Sequence, residues 1–225
     1  MNSMKPLLSS SGVIIFMRAP FQGKVKTRLA KTIGDENAAE FYRLCAQTVI
    51  AEIGQLGSNV AKYIFLAEPT DQLQTDDLVD LEFKVEIQEG QNLGQRLLNA
   101  FKRVFHDGIM KAVIVASDVP DLSADIVEKA IGSLDDSDVV IGPCYDGGYY
   151  LIGIKEPHQE LFRGVSWGTE QVCQQTLVAA DKSGLAVGQL STLIDIDTEE
   201  DLRWWAEING GKRPALMDFL KVICL

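Results

Sequence analysis

Histidine is scarce in this chain. His106 and His158 are its two, which leaves Ser–His or Cys–His nucleophilic catalysis few starting points. Cysteine is nearly as sparse. Cys45, Cys144, Cys173 and Cys224 include no C-x-x-C pair, so neither a zinc site nor a disulfide framework is indicated, and a reduced, cytoplasmic setting is expected. No run approaches the roughly 18 apolar residues of a membrane span. The opening MNSMKPLLSSSG holds one lysine and one Leu pair, too little apolar length for a signal peptide. Positive charge is also short, with 21 Lys+Arg against 32 Asp+Glu and a net charge of -11. DNA and RNA are therefore not expected partners. Carboxylates and a metal ion remain as the groups best supplied for chemistry.

Acidic residues are themselves missing from one place, since none precedes Asp35. Within that stretch lies VIIFMRAPFQGKVKTRL, residues 13–29. Its apolar start predicts a strand buried on both faces of a parallel sheet. The following loop has Gly23 for backbone freedom and Arg18, Lys24, Lys26 and Arg28 for charge. A basic, glycine-containing loop at the C-terminal end of a first strand is where open α/β sheets hold phosphate. A solvated surface loop would explain an isolated K-x-K-x-R, but not its position or the segregation of charge. Gly23-Lys24 lacks the rest of a Walker A loop, and G-x-G-x-x-G is absent, so neither an ATPase P-loop nor an NAD site is read here.

At 225 residues the chain is expected to be one α/β domain, 1–225, with peripheral tails at 1–11 and 209–225. Asp35 is predicted to cap a helix reaching about residue 53. Strands are predicted at 63–66 and 83–87, with the acidic stretch 71–80 a loop or short helix between them. QEGQNLGQR, residues 88–96, leads into an amphipathic helix. There Asn92, Gly94 and Arg96 either form a turn and cap or sit beside a nucleotide, and the sequence leaves both readings open.

The strand predicted at 112–116 ends in S-D-V-P-D. Asp118, at a central strand tip one layer from the basic loop, is where a Mg²⁺ ligand belongs, whereas Asp121 reads as a turn residue and Ser123 as a helix cap. A strand at 139–143, the turn Asp146-Gly147-Gly148 and a returning strand form a hairpin; paired glycines also admit a ligand close to the backbone. FRGVSWGTE, with Trp167 and Glu170, is a loop before a helix near 169–180. In TLIDIDTEEDL, Thr198 and Asp201 form a capping box for the last major helix. That box does not explain Asp195 and Asp197, either of which could complete a metal site with Asp118. The apolar tail helix, 215–225, is open to two uses: packing on its own domain or a homodimer contact.

Taken together, F-M-R-A-P-F-Q-G-K-V-K-T-R-L, N-L-G-Q-R, S-D-V-P-D-L, G-P-C-Y-D-G-G-Y-Y-L-I-G, V-S-W-G-T-E and D-I-D-T-E-E-D-L resemble, in order, the DUF2064 family of bacterial proteins with the glycosyltransferase-A fold. Cys144 stands where that family often has another small residue. The resemblance implies a three-layer α/β/α architecture with a mixed, mostly parallel sheet, shared with cofactor-building guanylyltransferases. It also implies phosphate binding by Lys24, Lys26 and Arg28, and Mg²⁺ or Mn²⁺ binding by Asp118 with Asp195 and Asp197. The expected activity is transfer from a nucleoside-diphosphate sugar to a small-molecule acceptor. Asp118 is the catalytic metal ligand in this reading; Asp146 or Glu170 activates an acceptor hydroxyl, and Gly147, Gly148 and Trp167 shape that side. The alternatives are nucleotidyl transfer from an NTP to a phosphorylated small molecule, and a non-catalytic nucleotide-binding protein.

Overall fold

The protein is described by a computed structural model covering residues 10–69, 82–209 and 212–224. The acidic stretch 71–80 falls outside the described residues. Among the described residues, seven strands form one sheet: β1 (Ser11–Met17), β2 (Val60–Leu66), β3 (Phe83–Ile87), β4 (Lys111–Ala116), β5 (Val139–Pro143), β6 (Tyr149–Ile154) and β7 (Val187–Gln189). Their order is β3-β2-β1-β4-β6-β5-β7. All neighbours are parallel except β6, which runs antiparallel to both β4 and β5. The sheet is thus mixed and mostly parallel, as the resemblance implies.

The continuous apolar runs explain the three layers, because alternate residues of a strand point to opposite faces. Val13, Ile15 and Met17 of β1 join Val113 and Val115 of β4 on one face. Helices α2 (Asp35–Gly54) and α4 (Ala124–Ser133) cover it with Val49, Ile53, Val127 and Ala130. Ile14 and Ile114 face the other way, onto α3 (Leu93–His106) and α5 (Val172–Lys182) through Leu97, Phe101, Val104 and Cys173.

A third cluster closes the side near the first loop. Leu29 and Phe41 meet Trp205 of α6 (Glu199–Asn209) and Leu216 and Leu220 of α7 (Pro214–Val222). Burying two leucines contributes about 2 kcal/mol each, so the tail helix packs on its own chain. One local expectation changes. Gly34, at φ +83, occupies the cap position of α2, while Asp35 lies in its first turn and makes no side-chain cap. There it favours the helix through the macrodipole instead. The short helix α1 (Ala30–Ile33) and the three-residue β7 are too brief to leave a periodic signal.

Candidate active site

The chain steps outward from β1 to β2 and β3, then returns to place β4 on the other side of β1. That reversal opens a crevice at the strand tips, where ligands bind in α/β sheets. Phe16 pairs with Ala116, so the loop after β1 and the Ser117-Asp118 turn emerge side by side. Tyr42 of α2 ties them together: its hydroxyl accepts from the Arg18 N–H at 2.8 Å and lies 2.8 Å from Ser117 Oγ. Burial, reinforced by the charge of Asp118, pushes this phenol up to about 12, so it stays neutral at working pH. The sequence does not single out Tyr42, because it sits on the core stripe of its helix. The signal was a hydroxyl among apolar positions, which needs a polar partner when buried.

The loop itself turns at Gly23, φ +70, and at Lys26, which adopts the left-handed region at φ +44. Val25 is buried with Ala39 and Tyr42, and this anchors the loop from below. The consequence falls on Lys26, whose side chain is only 2% exposed. Its Nζ stands 2.8 Å from Asp118 Oδ2, 2.8 Å from Asp195 Oδ1 and 3.0 Å from Asp197 Oδ1. An ammonium has three N–H donors, and each of these has its own carboxylate. Arg28, 64% exposed, reaches Asp197 Oδ2 at 3.4 Å. Arg18 and Lys24 are exposed. The four cations therefore divide, with three toward solvent and Lys26 turned inward.

These charges set one another's protonation. Burial alone would lower the Lys26 pKa, but the three aspartates more than offset this and hold it well above the ordinary lysine range. Burial, then the charge of Asp118, raises Asp195 to about 7 against the opposing pull of Lys26. Asp197 moves the other way: burial pushes it up, but Lys26 and Arg28 together bring it below the usual carboxylate value.

Local hydrogen bonds deliver the two C-terminal aspartates. After β7 the chain continues along β5, with Leu190 N–H donating to Ile141 O, Leu193 N–H to Pro143 O, and Tyr145 N–H to Leu193 O. Cys144 and Leu193 form a parallel bridge. Ile194 and Ile196 are buried, which leaves Asp195 and Asp197 for the crevice. The expected capping box then turns the chain into α6. Thr198 N–H donates to Asp201 Oδ2 at 2.8 Å, and Asp201 N–H to Thr198 Oγ1 at 3.2 Å. Asp121 is indeed structural, accepting from Trp205 Nε1 at 3.0 Å.

By donor type the three carboxylates suit a hard divalent cation, since Mg²⁺ takes oxygen ligands. They also converge on a single positive charge, so the ammonium is a stand-in cation. Their spacing is that of N–H···O bonds, however. Among the described residues no group of three or more His, Cys, Asp or Glu side chains stands ready to hold a metal ion directly. The donors fit a divalent ion in chemistry, not in their present spacing; their centre is filled by Lys26.

The remaining motif residues form a second region held by close contact. Asn92 caps α3, its side chain accepting from Gln95 N–H at 3.0 Å, and Arg96 Nε donates to Gly90 O at 3.2 Å. A Cβ on Gly94 would meet Phe162 O at 2.7 Å and the Trp167 ring at 2.9 Å. Trp167 also stands edge-on to Tyr149 at 6.4 Å between ring centroids. Asp146 Oδ1 accepts from Gly148 N–H at 2.8 Å. Gly147, at φ +88, lies so close to the chain at Glu170 that a Cβ would be 2.0 Å from Glu170 O. Cys173 N–H donates to Gly147 O at 2.9 Å, completing the seam between the hairpin turn and α5. The Glu170 side chain is exposed at its edge.

A nucleotide-diphospho-sugar transferase candidate from Desulfovibrio desulfuricans G20 is 31% identical, matches 96% of each chain and superposes with a TM-score of 0.84. At the level of fold alone, the chain is similar to a CMP:2-keto-3-deoxy-manno-octonic acid synthetase complexed with CTP, at 11% identity and TM-score 0.57, covering 91% of this chain and 100% of that one. A cytidylyltransferase from Leptospira borgpetersenii is 14% identical with TM-score 0.52, covering 95% and 93%. No curated protein matches the sequence. The sheet order and the D. desulfuricans relative identify the nucleotide-diphospho-sugar transferase fold. Residues 51–169 match the family described as "Uncharacterized protein conserved in bacteria (DUF2064)", and the chain belongs to that family.

Proposed function

We propose that the protein is a Mg²⁺-dependent transferase that uses a nucleoside-diphosphate sugar as donor and a small molecule as acceptor. The observation that carries this reading is the convergence of Asp118, Asp195 and Asp197 on one cation at the β1/β4 switch point, under a loop with three exposed cations. The relationship to the D. desulfuricans protein, 31% identical over 96% of this chain, favours a sugar-nucleotide donor. Arg18, Lys24 and Arg28 would hold the diphosphate, with Gly23 allowing its close approach to the backbone. The three aspartates would hold Mg²⁺, or Mn²⁺ in its place, which supplies neutralisation of charge on the departing diphosphate. Asp146 already gives one oxygen to its own turn, so exposed Glu170 is the better placed to take a proton from an acceptor hydroxyl.

Three exposed cations at one strand tip also match a triphosphate, which keeps nucleotidyl transfer as the second reading. Product analysis separates the two. The protein is incubated with Mg²⁺ and a panel of nucleoside-diphosphate sugars and NTPs, each with sugar alcohols and sugar phosphates as acceptors. Release of a nucleoside diphosphate supports the first reading, and release of pyrophosphate replaces it with the second. A Mg²⁺-dependent rise in Tm with any of these donors, with no product formed, assigns the protein to nucleotide binding without turnover. A ligand at a hundred times its Kd adds about 2.7 kcal/mol, which is readily visible in such a scan.

A further inference from the structure

We infer that Lys26 is a tethered competitor for the divalent cation: its ammonium and the metal ion claim the same three carboxylates, and one leaves when the other enters. The inference rests on reading the aspartates as the metal site, and it goes further by giving Lys26 a role other than gripping phosphate. The side chain is 2% exposed and its Nζ is 2.8, 2.8 and 3.0 Å from the three acceptors, so no N–H of the ammonium is left for a ligand. Mg²⁺ binds oxygen at roughly 2.0–2.1 Å, so it would need these oxygens drawn inward around the volume that Nζ now fills. Two positive charges cannot share that centre.

Withdrawal is within reach of this residue. A lysine stem is flexible, whereas Val25 and Leu29 on either side are buried and fix the backbone. The open side of the loop carries Lys24 and Arg28, where a bound phosphate would receive the displaced ammonium. The metal ion and a phosphate-bearing donor then bind cooperatively, because each favours the withdrawn position of Lys26.

The test is Mn²⁺ binding, read from the electron paramagnetic resonance signal of free Mn²⁺, with wild-type protein and Lys26→Met in the absence of nucleotide. The variant is expected to bind at least about tenfold more tightly. Equal or weaker binding overturns the competition but leaves the metal site standing, and no binding by either protein overturns both. If Lys26→Met does not fold, wild-type protein labelled with ¹⁵N-lysine is titrated with Mg²⁺ instead, with calorimetry reporting saturation. The protected Lys26 ammonium resonance should shift in step with the bound fraction. A resonance unmoved at saturation, or no Mg²⁺ binding at all, overturns the inference.

Discussion

At the tips of β1 and β4, Lys26, Asp118, Asp195 and Asp197 meet through charge, whereas at Gly147 two stretches of backbone meet through contact. The first group is held by ion pairs of 2.8–3.0 Å around one ammonium. The second is held by the absence of side chains, at Gly147 against Glu170 and at Gly94 against Phe162 and Trp167. Charge clusters reorganise when another ion arrives; close-packed backbone does not. On the competition proposed above, the charged region is the part of the site that a ligand remodels. The glycine region is the fixed wall that holds Glu170 and Trp167 in place.

The sharpest way to break this contrast is to add bulk to the wall. Gly147→Val would drive its Cβ far inside van der Waals contact with Glu170 O, at a φ that β-branched residues do not tolerate. It is expected to cost more than about 4 kcal/mol, measured by urea unfolding, and a loss under about 1 kcal/mol would show that the seam yields. On the charged side, Asp118→Ala should keep the fold, because Lys26 retains Asp195 and Asp197 and the Tyr42–Ser117 contact is untouched. Turnover with whichever donor proves active should nevertheless fall by at least about 10²-fold. A variant within a few-fold of wild-type kcat would remove Asp118 from the chemistry.

The sheet was legible because β1, β4 and β5 are uninterrupted apolar runs, and such runs mean strands covered on both faces. The charged cluster was legible in part. Asp118, Asp195 and Asp197 stood out as carboxylates at strand ends, but the direction of Lys26 did not. K-x-K-x-R alternates in a way that treats its three cations alike, and only the left-handed turn at Lys26 together with burial of Val25 sends one of them inward. In the glycine region, N-L-G-Q-R and V-S-W-G-T-E read as separate motifs. They are one contact, Gly94 against Trp167, and a contact between segments this far apart leaves no local periodicity.

Two smaller effects sharpen the comparison further. Asp195 is protonated in the fold up to about pH 7, while an ordinary aspartate ionises near 4. Its raised pKa contributes stability that is fully present below about pH 4 and is lost as pH rises through about 7. Asp195→Asn mimics the protonated form, so its stability relative to wild type should improve from pH 5 to pH 8 by about 2–3 kcal/mol. A constant difference across that range would place the Asp195 pKa at its ordinary value. Thr198→Ala is expected to have the smallest effect, about 1 kcal/mol, since it removes one half of the capping box and leaves Asp201 accepting from the backbone N–H groups of Asp197 and residue 198. Because that box also sets the direction in which Asp197 leaves the extended segment, the informative measurement is Mn²⁺ affinity beside Tm. A fall in Tm with unchanged affinity would mean that Asp195 and Asp197 are positioned by the β5 contacts of residues 190–193; a fall in both would make the start of α6 part of the charged region.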